Sequence, residues 1–304
     1  MSDFHLTILG CGSATPTPLR QPTSQVISYR GRLMLIDCGE GAQAMLRKMG
    51  LPFSRITHVF ISHMHGDHCL GLPGLLSTLD LNQKEGTVTV VLPKNGEKIM
   101  REMADFFCKE RSYNLEFQPL SGNGGTVLDL PSLTVDAFPL YHRVPTYGYV
   151  FREKPKGRHL RGDMVEFYKV PHYKREELRH GADFVTTDGT VVPNSVLTTD
   201  PSPSVSYAFC SDTAFDERVA RAVEGVDWLY HEATYDSSLA EDAHSRGHST
   251  AAEAGRIAAM AHVRHLIIGH YSKRYTSVDI LVEDARKEFP DVTAAYDGLQ
   301  IDLT

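Results

Sequence analysis

A layered α/β fold is what this sequence predicts, on three observations. Short β-branched runs alternate with amphipathic helical stretches in both halves of the chain. No repeat of fixed short period interrupts that order. The 304 residues, 41% of them hydrophobic, suffice for one sizeable core.

The elements follow in order. Phe4 to Leu9 alternates as a strand into the turn Gly10-Cys11-Gly12-Ser13, and Leu33 to Ile36 is an apolar run ending at Asp37. Glu40 to Met49 reads as a helix with Gly50 placed to cap it. His58 to Ile61 is a strand that ends on a histidine cluster. Leu70 to Leu81 reads as a helix, because Pro73 falls in its first turn where proline is tolerated. Further strands are expected at 87–92, 133–138, 147–151, 205–209, 228–231 and 265–268, and helices at 97–107, 249–261 and 278–288. One domain over 1–304 is expected, with 153–194 as an inserted arm that is basic, turn-rich and hard to assign to a core.

Composition narrows the class. Met1-Ser2-Asp3 has no apolar stretch behind it, so no signal peptide is predicted. No apolar run approaches the roughly 20 residues of a membrane span. Five cysteines scattered without a repeated spacing read as reduced thiols, and a soluble, cytoplasmic protein is expected. The net charge is −7, yet residues 152–180 carry nine Lys or Arg against five Asp or Glu, leaving −11 for the rest. A local basic field can recruit phosphates whatever the bulk charge.

The chemistry gathers at Ser62-His63-Met64-His65-Gly66-Asp67-His68. A strand end followed by a tight glycine turn can aim three imidazoles and a carboxylate into one space. Such a set without thiolates suits a catalytic divalent ion, and four candidate ligands exceed what one tetrahedral ion with an open position needs. His5, His58, His159, His172, His180, His244, His262 and His265 read instead as surface or satisfied core residues.

His-x-His-x-Asp-His after a strand resembles the hallmark of metallo-β-lactamase-fold hydrolases, and later candidates follow in order. His142, Asp212 and His270 each lie just past a predicted strand, where an α/β sheet presents its ligands. Leu35-Ile36-Asp37-Cys38-Gly39-Glu40-Gly41 resembles that group's motif in which the aspartate orients ligands by hydrogen bonding. Within the group the chain resembles ribonuclease Z: Leu9-Gly10-Cys11-Gly12-Ser13-Ala14 with Thr23-Ser24 is similar to its opening motif. His231-Glu232-Ala233-Thr234, His248-Ser249-Thr250 and Gly269-His270-Tyr271-Ser272 with Arg274-Tyr275 are similar to its later ones.

The resemblance implies a four-layer αββα sandwich with a protruding tRNA-binding arm, and two Zn²⁺ per subunit. His63, His65, His142 and Asp212 would hold the first zinc, and Asp67, His68, Asp212 and His270 the second. The same donor set leaves Mn²⁺ or Fe²⁺ open. Catalytic roles fall to Asp67, His248 as general acid and Glu232 as its partner, with Asp37 behind the ligands. The implied substrate is precursor tRNA, cut to leave a 3′ hydroxyl on the tRNA and a 5′ phosphate on the trailer. A homodimer is implied too, one subunit's arm serving the other's site. Lys169, Lys174, Arg175 and Arg274 are the implied RNA contacts.

Two features depart from the family pattern. The arm tip reads Lys169-Val170-Pro171-His172-Tyr173-Lys174-Arg175 without the Gly-Pro pair of short bacterial members. Thr17-Pro18-Leu19-Arg20-Gln21 lacks the Lys and Asn that accompany discrimination against CCA ends. Fold does not fix substrate, so a small-molecule phosphodiesterase or arylsulfatase is the rival reading. A di-iron flavoprotein partner would carry Glu where His65 stands, and a non-catalytic metal module would lack His248 or Glu232.

Overall fold

The computed structural model describes residues 4–304; Met1-Ser2-Asp3, where no signal peptide is expected, lie outside them. The chain forms two compact units. Among the described residues the first comprises 4–129, 134–151 and 205–304, the second 130–133 and 152–204.

The first unit begins with β1 (Phe4–Gly10), β2 (Ser24–Tyr29), β3 (Arg32–Ile36) and β4 (Ile56–Phe60), continuing through β5 (Thr87–Pro93) and β6 (Asn114–Leu120). β1 to β3 form an antiparallel meander, and β3 to β6 run parallel. Helices α1 (Ala42–Lys48), α2 (Gly66–Cys69), α3 (Leu72–Leu81) and α4 (Lys94–Phe107) complete this half. Strand alternation divides the apolar residues between two layers. Leu35, Val59 and Val90 align across β3, β4 and β5 and join one core with Leu46, Leu72, Leu76 and Met100 of the helices. Ile36, Phe60 and Val91 align on the opposite face. Both faces are buried, which is why these strands read as continuous apolar runs.

The second sheet has the order β17-β16-β15-β14-β9-β8-β7. Its strands begin with β7 (Gly125–Asp129), β8 (Leu133–Leu140) and β9 (Thr146–Glu153). The two sheets face each other through Phe60, which meets Tyr149 at 5.2 Å and Phe151 at 5.5 Å between ring centroids. The Tyr149 hydroxyl donates to the Ile61 carbonyl at 2.7 Å.

Chain order next passes through the second unit: β10 (His159–Leu160), α5 (Gly162–Phe167), α6 (Arg175–Arg179), β11 (Phe184–Val185), β12 (Val191–Val192), α7 (Asn194–Leu197) and β13 (Thr198–Thr199). Residues 153–194, expected as an inserted arm hard to assign to a core, fall within this unit. It runs to Ser204 and buries its own apolar cluster of Val165, Val170, Leu178, Phe184, Val192 and Leu197. Its charge is corrected. The acids Asp183, Asp188 and Asp200 bring residues 152–204 to nine cations against eight anions, a net of +1. Arg158 pairs with Asp200, Lys156 with Glu153 at 2.6 Å and Lys174 with Glu177 at 2.8 Å.

The chain returns to the first unit with β14 (Ser206–Cys210), α8 (Glu217–Ala222), β15 (Trp228–Glu232), α9 (Ala240–Arg246), α10 (Ala251–Met260), β16 (His265–Gly269), α11 (Asp279–Arg286), β17 (Val292–Ala294) and β18 (Gln300–Asp302). β14 to β17 pair in parallel, and β18 closes the first sheet against β1. Helices cover the outer faces, giving two mixed sheets flanked by helices. Among the described residues no helix is long and apolar enough to cross a membrane, and all five cysteines are buried and free.

The predicted helix Leu70 to Leu81 forms as Leu72–Leu81, and Leu70-Gly71 separates it from α2. There the Gly71 N–H donates to the Cys38 carbonyl at 2.8 Å, and a Cβ at Gly71 would lie 2.1 Å from the Gly39 oxygen. Only glycine permits that approach, and it ties the Asp37 loop to the histidine cluster.

Candidate metal centre

The site is built at strand ends. β3 leads to Asp37, β4 to Ser62 and His63, β8 to His142, β14 to Asp212 and β16 to His270, while β15 ends on Glu232. His248 comes from the turn before α10. A capping box fixes that turn: the Thr250 hydroxyl accepts from the Glu253 N–H, and Glu253 accepts from the Thr250 N–H. The Thr-x-x-Glu spacing that encodes it is visible in the sequence.

The ligand candidates gather into two groups. His65 Nδ1 lies 2.9 Å from His63 Nε2 and 3.3 Å from His142 Nε2. For metal–nitrogen bonds of about 2.0–2.1 Å, donors on a tetrahedron stand about 3.3 Å apart, so these separations fit one ion. In the second group His68 Nε2 and His270 Nε2 lie 3.5 Å and 3.6 Å from Asp67 Oδ2. Asp212 lies between the groups. Its Oδ2 is 3.6 Å from His63 Nε2 and 3.9 Å from His142 Nε2, while its Oδ1 is 3.4 Å from His68 Nε2 and 3.1 Å from His270 Nε2.

Hydrogen bonds behind the rings decide which nitrogen each presents. His68 Nδ1 donates to Asp37 Oδ2 at 2.7 Å, and His142 Nδ1 donates to the Gly247 carbonyl at 2.7 Å. The Ser62 hydroxyl donates to Asp37 Oδ2 at 2.8 Å, so it accepts from His63 Nδ1 at 3.0 Å. His63, His68 and His142 therefore present Nε2, and His65 presents Nδ1. Asp37 is fully buried and touches none of the inward nitrogens.

The donor set fits a divalent cation. His68 Nε2, His270 Nε2 and Asp212 Oδ1 are buried without a hydrogen-bond partner, and all three point into the second group. Such orphans are costly unless something satisfies them. Burial, joined by neighbouring rings, lowers the pKa of His63 and His65, which favours the neutral form that a metal ligand requires. Burial works the same way on His68, but Asp212, Asp67 and Asp37 outweigh it and raise that ring well above the usual value. Burial would favour neutral Asp67, yet His68 and His270 hold it far below the ordinary carboxylate range. Three carboxylates around buried rings are a surplus of negative charge that a cation matches.

Beside the two groups, His248 Nδ1 donates to Glu232 Oε1 at 2.8 Å and stands 3.9 Å from Asp212 Oδ2. Burial disfavours the charged ring, but the Glu232 carboxylate prevails and pushes the His248 pKa up to about 9. Burial would raise Glu232; the His248 ring and hydrogen bond, then His270 and Thr234, bring it down to about 2.

A cleft of about 510 Å³ opens over these atoms, lined by His65, Asp67, Asp212, His248 and His270 and by four cations: Arg143, Arg246, Lys273 and Arg274. Arg274 lies over the Tyr235 ring at 4.9 Å. Of these cations only Arg274 was expected. Lys169, Lys174 and Arg175 belong to the second unit, where Lys169 and Arg175 are exposed and Lys174 is tied to Glu177.

Sequence reasoning also missed groups that act through the backbone. The Ala14 N–H donates to Asp67 Oδ2 at 2.6 Å, and Thr213 N–H donates to Glu232 Oε1 at 3.0 Å. Ala14, Asp37 and His270 adopt left-handed backbone, with φ of 63°, 57° and 60°. Non-glycine residues held in that region cluster where function over-determines the fold.

Two facing mixed sheets with a His/Asp cluster at their strand ends define a metallo-β-lactamase-fold protein. A protein of that fold from Bacillus subtilis superposes with a TM-score of 0.71 at 16% identity, over 99% of each chain. The short form of human tRNase Z superposes with a TM-score of 0.74 at 24% identity, also over 99% of each chain. The family described as anti-Pycsar protein Apyc1 matches residues 4–104. Ribonuclease Z of Parabacteroides distasonis is 45% identical over 304 residues, spanning 100% of both chains. The chain belongs to the ribonuclease Z family.

Proposed function

We propose that this protein is a metal-dependent endoribonuclease that removes the 3′ trailer from precursor tRNA. The observation that carries the reading is Asp212, whose two oxygens face two separate histidine groups, set beside the His248–Glu232 pair. Relatives named ribonuclease Z over the full length supply the substrate class.

His63, His65, His142 and Asp212 Oδ2 would hold one ion, and Asp67, His68, His270 and Asp212 Oδ1 the other. Two zinc ions bound there supply a hydrolytic nucleophile at neutral pH and neutralise charge on the phosphate. The chain's own residues do the rest. Arg143, Arg246, Lys273 and Arg274 draw the RNA backbone over the cleft by its phosphates. As the bond from phosphorus to the 3′ oxygen breaks, His248 Nε2 gives that oxygen its proton. Glu232 holds the imidazole by its Nδ1–H. The products are a tRNA with a 3′ hydroxyl and a trailer with a 5′ phosphate. Incubating purified protein with labelled precursor tRNA and mapping both new ends tests this; hydrolysis of small diesters with no cut in the tRNA would overturn it.

The second unit supports RNA contact through few charges. Lys169 and Arg175, exposed near Phe167 and Tyr173, are the phosphate contacts expected there. Replacing both with Gln should raise KM for precursor tRNA and flatten the logarithmic salt dependence by about 1.5. Lys174→Gln should do less, since Glu177 already neutralises it. An unchanged salt slope in the double variant would leave recognition to the cleft cations.

A homodimer is part of the proposal. Ile99 and Phe106, two turns apart on α4, are 50% and 77% exposed, and Phe107 beside them is 59% exposed. Such an apolar stripe suits a second copy of the chain. Phe106→Glu should convert a dimer in sedimentation velocity to a monomer; a variant that still sediments as the dimer would place the interface elsewhere.

A further inference from the structure

We infer that Thr234 is a positioning residue whose hydroxyl, donated to Glu232, fixes the ring state of His270. The inference rests on reading His270 as a ligand and adds a residue with no contact to substrate or metal. Thr234 Oγ1 stands 2.5 Å from Glu232 Oε2 and 2.9 Å from His270 Nδ1. A hydroxyl has one proton to give. Glu232 is buried and already accepts from the Thr213 N–H, the Thr234 N–H and His248 Nδ1. An ionised carboxylate accepts only, so across the 2.5 Å contact the proton must sit on Thr234 and point at Glu232. The hydroxyl is then left with lone pairs toward His270, and His270 Nδ1 must be the donor. In the neutral ring Nε2 is then the nitrogen without a proton, and it is this buried, partnerless nitrogen that faces Asp212 and Asp67.

The arrangement makes one carboxylate orient two imidazoles with different duties. Glu232 reaches His248 directly and His270 through the Thr234 hydroxyl. It differs from the Asp37–His68 pair, where carboxylate and ring touch.

The test uses the metal-free protein and zinc alone. Nitrogen-15 correlation spectra of the His270 ring report which nitrogen carries the proton; wild type and Thr234→Ser should show Nδ1–H. Thr234→Val keeps the shape but offers no acceptor, and should show an Nε2–H form or a mixture. Titration with zinc against a chromophoric chelator should show the second ion weakened by about 10–100-fold in Thr234→Val, with the first ion unaffected and Thr234→Ser close to wild type. An Nε2–H ring in wild type, or Thr234→Val with unchanged spectrum and zinc affinity, would overturn the inference. If wild type bound no second zinc, the functional reading would fail while the ring spectra still decided the role of Thr234.

Discussion

Asp212→Ala should lose metal and RNA cleavage together, with activity down by about 10³-fold or more. The expectation follows from its two oxygens, each within 3.9 Å of the presented nitrogens of a different group. Removing them deletes a donor from both sets at once and leaves the remaining donors too few to fix two ions close together. A loss of about 4 kcal/mol of transition-state stabilisation corresponds to that rate factor. Elemental analysis of the purified variant, beside circular dichroism to confirm folding, is the direct measurement. Full metal content in folded Asp212→Ala would contradict the shared position. His65→Ala, which removes a donor from one group only, should retain the second ion.

His248→Ala should behave in the opposite way, keeping both ions while RNA cleavage falls by about 10²–10⁴-fold. His248 lies 3.9 Å from Asp212, but its Nδ1 is committed to Glu232. A nitrophenyl phosphodiester, whose leaving group needs no proton, should suffer far less; equal losses on both substrates would exclude the acid role. The pH profile gives a second readout. The acid must be protonated to act, so the rate should fall as pH rises through the His248 pKa, about 9 beside Glu232. Two cations, if bound as proposed, would oppose the charged ring and place this alkaline limb at or below that value. Glu232→Gln removes the carboxylate that raises the pKa, and should move the limb further toward acid.

Much of the site was legible because the ligand candidates follow strand ends, each with a local signature. His63 to His68 is a single motif, and His142, Asp212 and His270 each follow an apolar run. What escaped was non-local. The Ala14 N–H meets a carboxylate 53 residues away, and the Gly247 carbonyl meets His142 across 105 residues. Backbone donors carry no mark in side-chain patterns. Strands β2 and β6 were missed for a related reason: Ser24-Gln25 and the polar residues of Asn114-Leu115-Glu116-Phe117-Gln118-Pro119-Leu120 break the apolar runs, and pairing with neighbours decides their structure. The second unit's core was unreadable because its six buried residues follow neither helical nor strand spacing. Its charge was misjudged because the window closed before Asp200, the partner of Arg158.

The turn at Gly247 links two properties that a protein engineer would prefer to adjust separately. Its φ is +74°, a Cβ there would come 2.9 Å from His142 Nδ1, and its carbonyl receives that ring's proton. The next residue in the chain is His248. One peptide plane therefore aims a candidate metal donor on one side and sets out the proposed acid on the other. Rebuilding this turn to retune that acid would disturb the donor's aim as well, so in the proposed function affinity for the metal and delivery of the proton are inherited as a single trait.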